Sequence, residues 1–573
     1  MRKINHSSTS HFNKSKYNKR IIALVFSLCI IAPLIWLPRR IDLNRAVTTD
    51  EIKWLERSLK FLIFTKQGDY QRTFRAPHPG VTIMWLGSGG LLQEYQSQTG
   101  KIEKLGDKLE DREFYQGIIN NPLENLVSAR IWMSYAHLVV LLIAFWLSWR
   151  LTGWLPALLA FLLVAFDPFQ LGLARLLHLD ALLASLYLLA VLAIIAFLFQ
   201  RRLYDLIIAG VAAGLCWLTK SPGFFLLPTA ALLFLLDLWL AYRKNTSPAL
   251  PKQLWGYAWR FALWLLLAAS VFVLLWPAMW VNPLGVLLEI FASAGGYAAE
   301  GHSSPVFFNG QVFPDGISGP RFFYFYPLTY LWRTTPVTLL GLLAAAWAFF
   351  SKQELFSRPG VRRTLFGLLI AALVFYLGMN LGSKKFDRYL LPVYAPFNII
   401  AALGWTAAAL WLKERLPAFY ARFVPGALLV LVVFFQAWSS LSIFPYSLAY
   451  YNPLLGGSRI APRVMQVGWG EGLDQAAIYL NQKEGAQNLD VFTWYQNGPF
   501  SFFFEGNSRK ISDGDFTSSD WQTLAGSDYL VIYIHQWQRD LPAELLEHIK
   551  SWQPEHTVWI NNLEYVKIYK VPD

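Results

Sequence analysis

The sequence is poor in charged residues. Only 15% of its 573 residues are Asp, Glu, Lys or Arg, whereas 55% are hydrophobic. A surface that faces water needs more charge than this, so a string of soluble domains is excluded. Apolar runs recur instead over residues 21–444, and a run of roughly 20 apolar residues spans the ~30 Å hydrocarbon core of a bilayer. The composition therefore predicts a membrane protein with many spans.

Cysteine is nearly absent. The two cysteines, Cys29 and Cys216, both lie inside apolar runs, which excludes a disulfide framework and a CxxC metal site. The spacings HExxH and GxSxG are also missing. The sequence thus predicts neither a metal centre nor a serine hydrolase of that type.

The first 20 residues contain no acidic residue. Their basic residues are Arg2, Lys3, Lys14, Lys16, Lys19 and Arg20. The apolar run that follows, "IIALVFSLCIIAPLIWL", has no small-residue cleavage site. This pattern predicts a retained signal anchor with the N-terminus in the cytoplasm. The net charge of +13 then follows from basic cytoplasmic segments and requires no nucleic-acid partner.

About eleven apolar runs predict transmembrane helices. They cover residues 21–37, 126–149, 156–173, 181–200, 204–219, 224–242, 261–280, 328–350, 365–381, 390–412 and 424–444. An odd number of spans places the two ends of the chain on opposite sides of the membrane. We predict a plasma-membrane protein with a cytoplasmic basic tail (1–20), a transmembrane region (21–445) and an extracytoplasmic domain (446–573). The first outer loop covers 38–125.

The last part of the chain has a different pattern. β-Branched and aromatic residues are frequent in "DVFTWY", "DYLVIYIHQW" and "HTVWINNLEYVKIYKV", which predicts strands, the last of them a hairpin across Asn561 and Asn562. The segment "LPAELLEHIKSW" predicts an amphipathic helix. The predicted fold class is an α-helical polytopic membrane protein with a C-terminal soluble α/β domain.

Two adjacent carboxylates, Asp50 and Glu51, follow the first predicted span in "TTDEIKWLERSLKFL". The segment after them has the 3.6-residue period of an amphipathic helix at the membrane surface. In one interpretation Asp50 merely caps this helix, since an acidic residue at a helix start is favoured by ~0.5–2 kcal/mol. In the other, the carboxylate accepts a proton during a reaction at the outer membrane surface.

Cationic residues recur at the span ends that are predicted to face outward. They are Arg130, Arg175, Lys220, Lys384, Lys385 and Arg388. Positive charge is disfavoured on that side, so these residues indicate either a bound anion or side chains that reach the lipid headgroups. Cations can stabilise the negative charge that develops on a leaving phosphate. Together with a carboxylate they indicate transfer of a sugar from a lipid phosphate.

Six short segments carry a resemblance to a known family. They are "TTDE", "HPG" from His78, "SAR" ending at Arg130, "RLLHLDALLA", "TKSPGFFLLP" and "DRYLLP". In this order and placement the chain, over roughly 21–444, resembles the polytopic lipid-phosphate-sugar glycosyltransferases of the C fold. That family includes the protein O-mannosyltransferases and the aminoarabinose transferases.

The resemblance implies inverting transfer of a sugar from a polyprenyl-phosphate donor to a protein, lipid or glycan acceptor on the outer face. It implies no nucleotide sugar, no cofactor and no obligatory metal. It also implies roles for individual residues. Asp50 is the implied catalytic base with Glu51 beside it; Arg130, Lys220, Arg388, Lys384 and Lys385 are implied to bind the donor phosphate, and His78, Arg175 and Asp180 the substrate. Many family members have HPP where this chain has "HPG".

Two other classes of protein remain as alternatives. A transporter or lipid flippase often has inverted repeats and paired broken spans, whereas this chain places its largest loop between the first two spans and has no matching half. A scaffold that displays the outer domain is the second alternative. The carboxylate pair at Asp50 and Glu51 argues against it.

Overall fold

The structure is a computed structural model that describes residues 8–99, 121–243, 250–299, 305–314, 316–317, 319, 322–511, 516–539 and 541–572. Residues 1–7 of the predicted tail and 100–120 of the predicted outer loop lie outside these ranges. Within them, eight helices are long and apolar enough to cross a membrane, and two bent helix pairs raise the number to ten. The chain is therefore a multi-pass membrane protein.

The single helices of this set are Ile22–Arg40, Pro122–Thr152, Leu179–Gln200, Ser221–Arg243, Pro251–Leu274, Pro359–Leu381, Asp387–Arg415 and Ala418–Leu441. The bent pairs are Trp154–Ala165 with Pro168–Ala174 and Phe325–Arg333 with Pro336–Phe350. The one remaining predicted span, residues 204–219, corresponds to Leu203–Thr219, an apolar helix of 17 residues. At 1.5 Å per residue such a helix is ~26 Å long, less than the ~30 Å hydrocarbon core. The number of helices long enough to cross the membrane is therefore ten among the described residues, instead of the predicted eleven, because this helix is too short.

Buried polar side chains form hydrogen bonds at the breaks of the two bent helix pairs. The pairs bend by 63° and 114°, and each break frees backbone groups that need partners away from water. Asp167 accepts a hydrogen bond from the Gln170 amide (2.9 Å), and Thr335 accepts one from the Thr338 amide (3.2 Å). Asn398 joins the breaks, since it donates to Asp167 (2.9 Å) and accepts from the Thr338 hydroxyl (2.7 Å).

Further helices lie outside the set of membrane-crossing helices. They are Thr49–Gln67, Val81–Thr99, Ala278–Val281, Pro283–Ala299 and Glu354–Ser357. The helix Thr49–Gln67 buries Trp54, Leu55, Leu59 and Leu62 on one face, which confirms the predicted amphipathic helix. A small antiparallel hairpin is formed by β1 (Val306–Phe308) and β2 (Gln311–Phe313).

The C-terminal part contains a five-stranded sheet. Its strands are β3 (Asp490–Thr493), β4 (Asn507–Lys510), β5 (Tyr529–Tyr533), β6 (His556–Ile560) and β7 (Leu563–Lys570), in the order β4-β3-β5-β7-β6. β3 is parallel to β4 and β5, whereas β7 is antiparallel to β5 and β6. Asn561 and Asn562 have φ of 51° and 60°, as the favoured two-residue hairpin turn requires, so the predicted hairpin is confirmed.

Helices accompany the sheet. They are Gly457–Val464, Leu473–Asn481, Ser518–Ala525, Ile534–Arg539 and Ala543–Ile549. The predicted fold class is thus confirmed, but two local predictions differ from the structure. The strand predicted over 528–537 ends at Tyr533 and continues as a helix. Strand β4 escaped prediction because "NSRK" is polar and mostly exposed, as suits the edge of a sheet.

The orientation in the membrane is a prediction that reporter fusions can check. We expect alkaline phosphatase fused to the C-terminus to be active outside, and a fluorescent protein fused to the N-terminus to fluoresce in the cytoplasm, because the basic loops favour the inner face. A C-terminal fusion active only in the cytoplasm would contradict the odd number of spans. The outer position of Asp50 depends on the first span alone and would survive that result.

Candidate functional site

Both carboxylates lie in the first turn of the helix Thr49–Gln67, and their side chains have different neighbours. Glu51 accepts hydrogen bonds at Oε2 from the backbone amide (3.0 Å) and the hydroxyl (3.2 Å) of Thr48. Thr48 and Glu51 therefore cap the helix Thr49–Gln67. The interpretation of Asp50 as the cap is wrong, because its side chain lies instead toward His178 and Arg388.

Glu51 and Arg130 form a buried ion pair. Arg130 donates from Nε to Oε1 (2.7 Å) and from Nη2 to Oε2 (2.6 Å) of Glu51. Its remaining N–H groups reach the carbonyl oxygens of Leu43 (2.6 Å), Arg45 (3.0 Å) and Ala46 (2.9 Å). A guanidinium has five N–H donors, so every donor of Arg130 is in use. The pair clamps the segment just before Asp50.

Three more hydrogen bonds tie this part of the chain to the loop that precedes the helix Leu179–Gln200. Oε1 of Glu51 accepts a hydrogen bond from the Leu177 amide (2.8 Å). Arg175, which is buried, donates to the carbonyl oxygens of Pro38 (2.5 Å) and Asp42 (2.8 Å). Arg175 thus lies in the support of the site, where it joins two loops.

Five side chains from four separate segments meet beside this support: Asp50, His178, Asp180, Lys220 and Arg388. His178 lies 3.5 Å from Asp50 through Nε2 and 3.5 Å from Asp180 through Nδ1. Lys220 Nζ donates to Asp180 Oδ1 (2.6 Å). Arg388 lies 3.7 Å from Asp50 and 3.4 Å from Asp180. We call these five residues the charged cluster.

The charged cluster opens at one end. The Asp50 side chain is 32% exposed and that of Arg388 is 14% exposed, whereas Asp180 is 2% exposed. Asp180 therefore lies beneath the opening, where it neutralises Lys220 and part of Arg388. Among the described residues, no three His, Cys, Asp or Glu side chains are grouped so that they could hold a metal ion.

Asp50 is negatively charged at neutral pH. Burial alone would raise the pKa of its carboxyl, but the neighbouring His178, Arg388 and Lys53 hold the pKa below its usual range. A carboxylate so stabilised is a weak base. It becomes a stronger base if another anion draws Arg388 away from it.

The "HPG" loop reaches the cluster through a pairing with residue 219. The Gly80 amide donates to the Thr219 carbonyl (3.1 Å), which places His78 near Lys220. Burial and the positive charges of Lys220 and Lys384 lower the pKa of His78 to about 4. Gly80 has φ of +61°, which proline cannot adopt. This conformation explains why the chain has "HPG" where HPP is common.

Lys384 and Lys385 differ in their surroundings. Lys385 is buried and donates to the carbonyl oxygens of Asn380 (3.3 Å) and Gly382 (3.1 Å), at the end of the helix that precedes it. Lys384 is half-buried, and burial together with the charge of Arg388 lowers its pKa. Of the two lysines, Lys384 is the one beside the charged cluster.

A tryptophan from the C-terminal part covers the cluster. The Trp469 ring lies 4.1 Å from the Arg388 guanidinium carbon and stands edge-on to His178, with 5.0 Å between the ring centres. Its turn, "GWGEG", contains three glycines with positive φ. They are Gly468 (90°), Gly470 (121°) and Gly472 (89°). The sequence predicts a tight turn here, but it does not place Trp469 or His178 in the site.

An apolar cleft of about 540 Å³ lies among the helices near the cluster. Its walls include Tyr330, Leu331, Leu373, Tyr376, Leu390 and Phe397. Leu390 follows Arg388 by two positions in the short helix Asp387–Val393. This short helix thus carries one residue of the cleft wall and one residue of the charged cluster.

The chain matches no protein-family model and no curated protein. Solved structures are similar to it over most of its length, and these include three from different organisms. ArnT from Cupriavidus metallidurans, bound to undecaprenyl phosphate, is 14% identical with a TM-score of 0.44, and the match covers 95% of this chain and 97% of that one. The S. cerevisiae protein O-mannosyltransferase Pmt1–Pmt2 complex, bound to the sugar donor, is 12% identical with a TM-score of 0.49 over 75% and 90%.

The third structure is the Archaeoglobus fulgidus oligosaccharyltransferase in complex with zinc and sulfate. It is 12% identical with a TM-score of 0.40, over 90% of this chain and 68% of that one. At these values the similarities concern overall shape and assign a role to no residue.

Proposed function

We propose that this protein is a membrane glycosyltransferase that transfers a sugar from a polyprenyl-phosphate donor to an acceptor hydroxyl at the outer membrane surface. The observation that carries the proposal is the partly exposed Asp50 carboxylate, 3.5 Å from His178 and 3.7 Å from Arg388, in the first turn of the helix that follows the first apolar helix. A lipid-phosphate sugar is a ligand with an anionic head and an apolar tail, which suits this cluster and the cleft beside it.

Arg388 is the residue best suited to hold the donor phosphate. Its contacts with Asp50 and Asp180 are 3.7 and 3.4 Å long, whereas a strong charge-assisted hydrogen bond is ~2.7–2.9 Å. Nε of Arg388 has no hydrogen-bond acceptor among the described residues. The guanidinium can therefore turn to a phosphate and grip it through two parallel hydrogen bonds. Lys220 and Lys384 add positive charge beside it.

Asp50 is the proposed general base. It takes the proton of the acceptor hydroxyl while the acceptor oxygen forms a bond to the anomeric carbon of the sugar. The bond from that carbon to the phosphate oxygen breaks, and the phosphate leaves with the electron pair. Attack from the face opposite the phosphate inverts the anomeric configuration. Because the phosphate engages Arg388, the pKa of Asp50 rises as the donor binds, and the carboxylate becomes a better base.

Glu51, Arg130 and Arg175 are assigned positioning roles in this proposal. Glu51 is fully buried, with five donors on its two oxygens. Arg130 has no N–H group left for a phosphate. Asp180, beneath the opening, holds Lys220 and orients His178. The family resemblance implies phosphate binding for both Arg130 and Arg388, and we assign that role to Arg388 alone of the two.

The donor tail is assigned to the apolar cleft. The cleft lies between the helices Phe325–Arg333, Pro359–Leu381 and Asp387–Arg415. These elements belong to the membrane region, where an isoprenoid chain resides. Leu390 of the cleft wall and Arg388 lie in the same short helix, which supports the proposal that the phosphate end of such a chain binds at the cluster.

Arg388→Gln tests the donor site. We expect kcat/KM for a purified polyprenyl-phosphate sugar to fall by ~100-fold or more, because an arginine that stabilises a leaving phosphate acts mainly in the transition state. Transfer is measured by mass spectrometry of the acceptor across a donor titration. Arg459→Gln, a change at an exposed arginine, serves as the control and should leave the rate unchanged. Equal rates for Arg388→Gln and the wild type would remove Arg388 from the donor site.

The same assay separates the enzyme from a transporter. Membranes that lack the protein should accumulate one polyprenyl-phosphate sugar and lose one sugar from a surface glycan, glycolipid or glycoprotein. If the purified protein moves a labelled lipid across proteoliposomes and transfers no sugar from any donor tested, the transporter alternative is correct.

A further inference from the structure

We propose that the C-terminal part of the chain is a component of the active site, and that Trp469 is a positioning residue that holds Arg388 ready for the donor phosphate. The inference rests on the proposed function. It assigns to this region a direct part in donor binding, in addition to whatever it contributes outside the site.

Trp469 contacts Arg388 without accepting a hydrogen bond from it. The Trp469 ring lies against the guanidinium, 4.1 Å from its carbon to the ring centre. An indole has no hydrogen-bond acceptor atom, so this cation–π contact restrains the guanidinium and leaves its N–H groups for the phosphate. The same ring contacts His178 edge-on. Trp469 therefore contacts both His178 and Arg388, the two residues that lie next to the Asp50 carboxylate.

The turn that carries Trp469 is anchored in the C-terminal sheet. Glu471 Oε2 accepts hydrogen bonds from the Trp469 amide (2.6 Å) and from the Tyr533 hydroxyl (3.0 Å). The Tyr533 hydroxyl in turn accepts one from the Gly470 amide (2.8 Å). Tyr533 is the last residue of strand β5. The position of the indole ring is thus tied to the sheet.

The C-terminal part also packs closely against the residues that flank Asp50. A Cβ atom at Gly470 would lie 2.2 Å from the Val47 carbonyl oxygen, and one at Gly498 would lie 2.1 Å from the Ile52 side chain. Val47 and Ile52 flank Asp50 in the sequence. Glycine at these two positions permits the close approach of the C-terminal part to these residues.

Trp469→Ala is the first test. We expect the donor KM to rise about tenfold with a smaller change in kcat, since a cation–π contact of moderate strength is lost. Trp469→Phe retains a ring and should recover most of the affinity. In the Arg388→Gln background, Trp469→Ala should add no further loss. Independent, additive effects of the two changes would overturn the proposal.

Gly470→Ala tests the docking of the turn without removing the indole. We expect it to raise the donor KM as Trp469→Ala does, because the new methyl group meets a backbone oxygen. Gly485→Ala is the matched control: Gly485 also has positive φ (+72°), but a Cβ there meets nothing within 4 Å. Both variants carry backbone strain, so a donor KM that is the same for the two would contradict the inference.

Binding of undecaprenyl phosphate to the protein in lipid nanodiscs keeps this inference distinct from the proposed function. If the wild type binds this lipid and Trp469→Ala weakens binding, the inference holds even when no transfer is found, and the proposed reaction alone fails. If the wild type transfers sugar and Trp469→Ala matches it in both binding and transfer, the inference alone fails. If the wild type neither binds nor transfers, both fail.

Discussion

Asp50→Asn is expected to lower sugar transfer by ~100- to 10,000-fold, the usual cost of losing a general base. Asparagine keeps the size of the side chain and removes its basicity. The helix start should persist, because Thr48 and Glu51 make the cap. Binding of undecaprenyl phosphate should remain, since Arg388 is released from the ion pair with Asp50. The measurement is the single-turnover rate at saturating donor, which isolates the chemical step from binding.

The control for this prediction is Asp69→Asn, a change at an acidic residue beyond the other end of the same helix, in an exposed ion pair with Arg72. It should transfer sugar at the wild-type rate. If Asp50→Asn is folded and transfers sugar within a few-fold of the wild type, another group takes the proton. The catalytic part of the proposal would then be wrong.

Glu51→Gln is expected to destabilise the protein by ~3–5 kcal/mol, because it leaves the buried Arg130 charge without its counter-ion. Both side chains are 1% exposed or less. Arg130→Lys should also destabilise, since lysine cannot supply the five donors that the loop carbonyls and Glu51 engage. The measurement is thermal unfolding of the detergent-solubilised protein, followed by loss of the monodisperse peak in size-exclusion chromatography.

Glu56→Gln is the matched control on the same helix. Glu56 is 51% exposed and pairs with Lys60, and surface pairs contribute only ~0–1 kcal/mol. The double variant Glu51→Gln with Arg130→Met should unfold at a higher temperature than Glu51→Gln alone, because no unpaired charge then stays buried. If Arg130→Lys unfolds like the wild type and raises the donor KM, Arg130 binds phosphate as the family resemblance implies.

The candidate site was partly visible in the sequence. Asp50, Lys220 and Arg388 were predicted from charges at the outer ends of apolar runs, and the structure brings them into one cluster. A charged residue at the end of a span can be recognised from the sequence, because the membrane restricts where charged groups reside. The residues that contact such a charge in the folded protein cannot be recognised in the same way. Arg130 and Arg388 therefore look alike in the sequence, although all N–H groups of Arg130 donate hydrogen bonds and Nε of Arg388 has no acceptor among the described residues.

The sequence by itself determined that this chain crosses a membrane many times, that a sheet with a hairpin at Asn561 and Asn562 follows, and that carboxylates and cations lie near the ends of several spans. These features depend on hydrophobicity and local conformation, which neighbouring residues specify. Only the tertiary structure decided that Glu51 faces Arg130 while Asp50 faces Arg388, and that Trp469 closes the cluster. Adjacent helical residues point in different directions, and residues far apart in the chain meet only through packing, so these relations exist only in the folded protein.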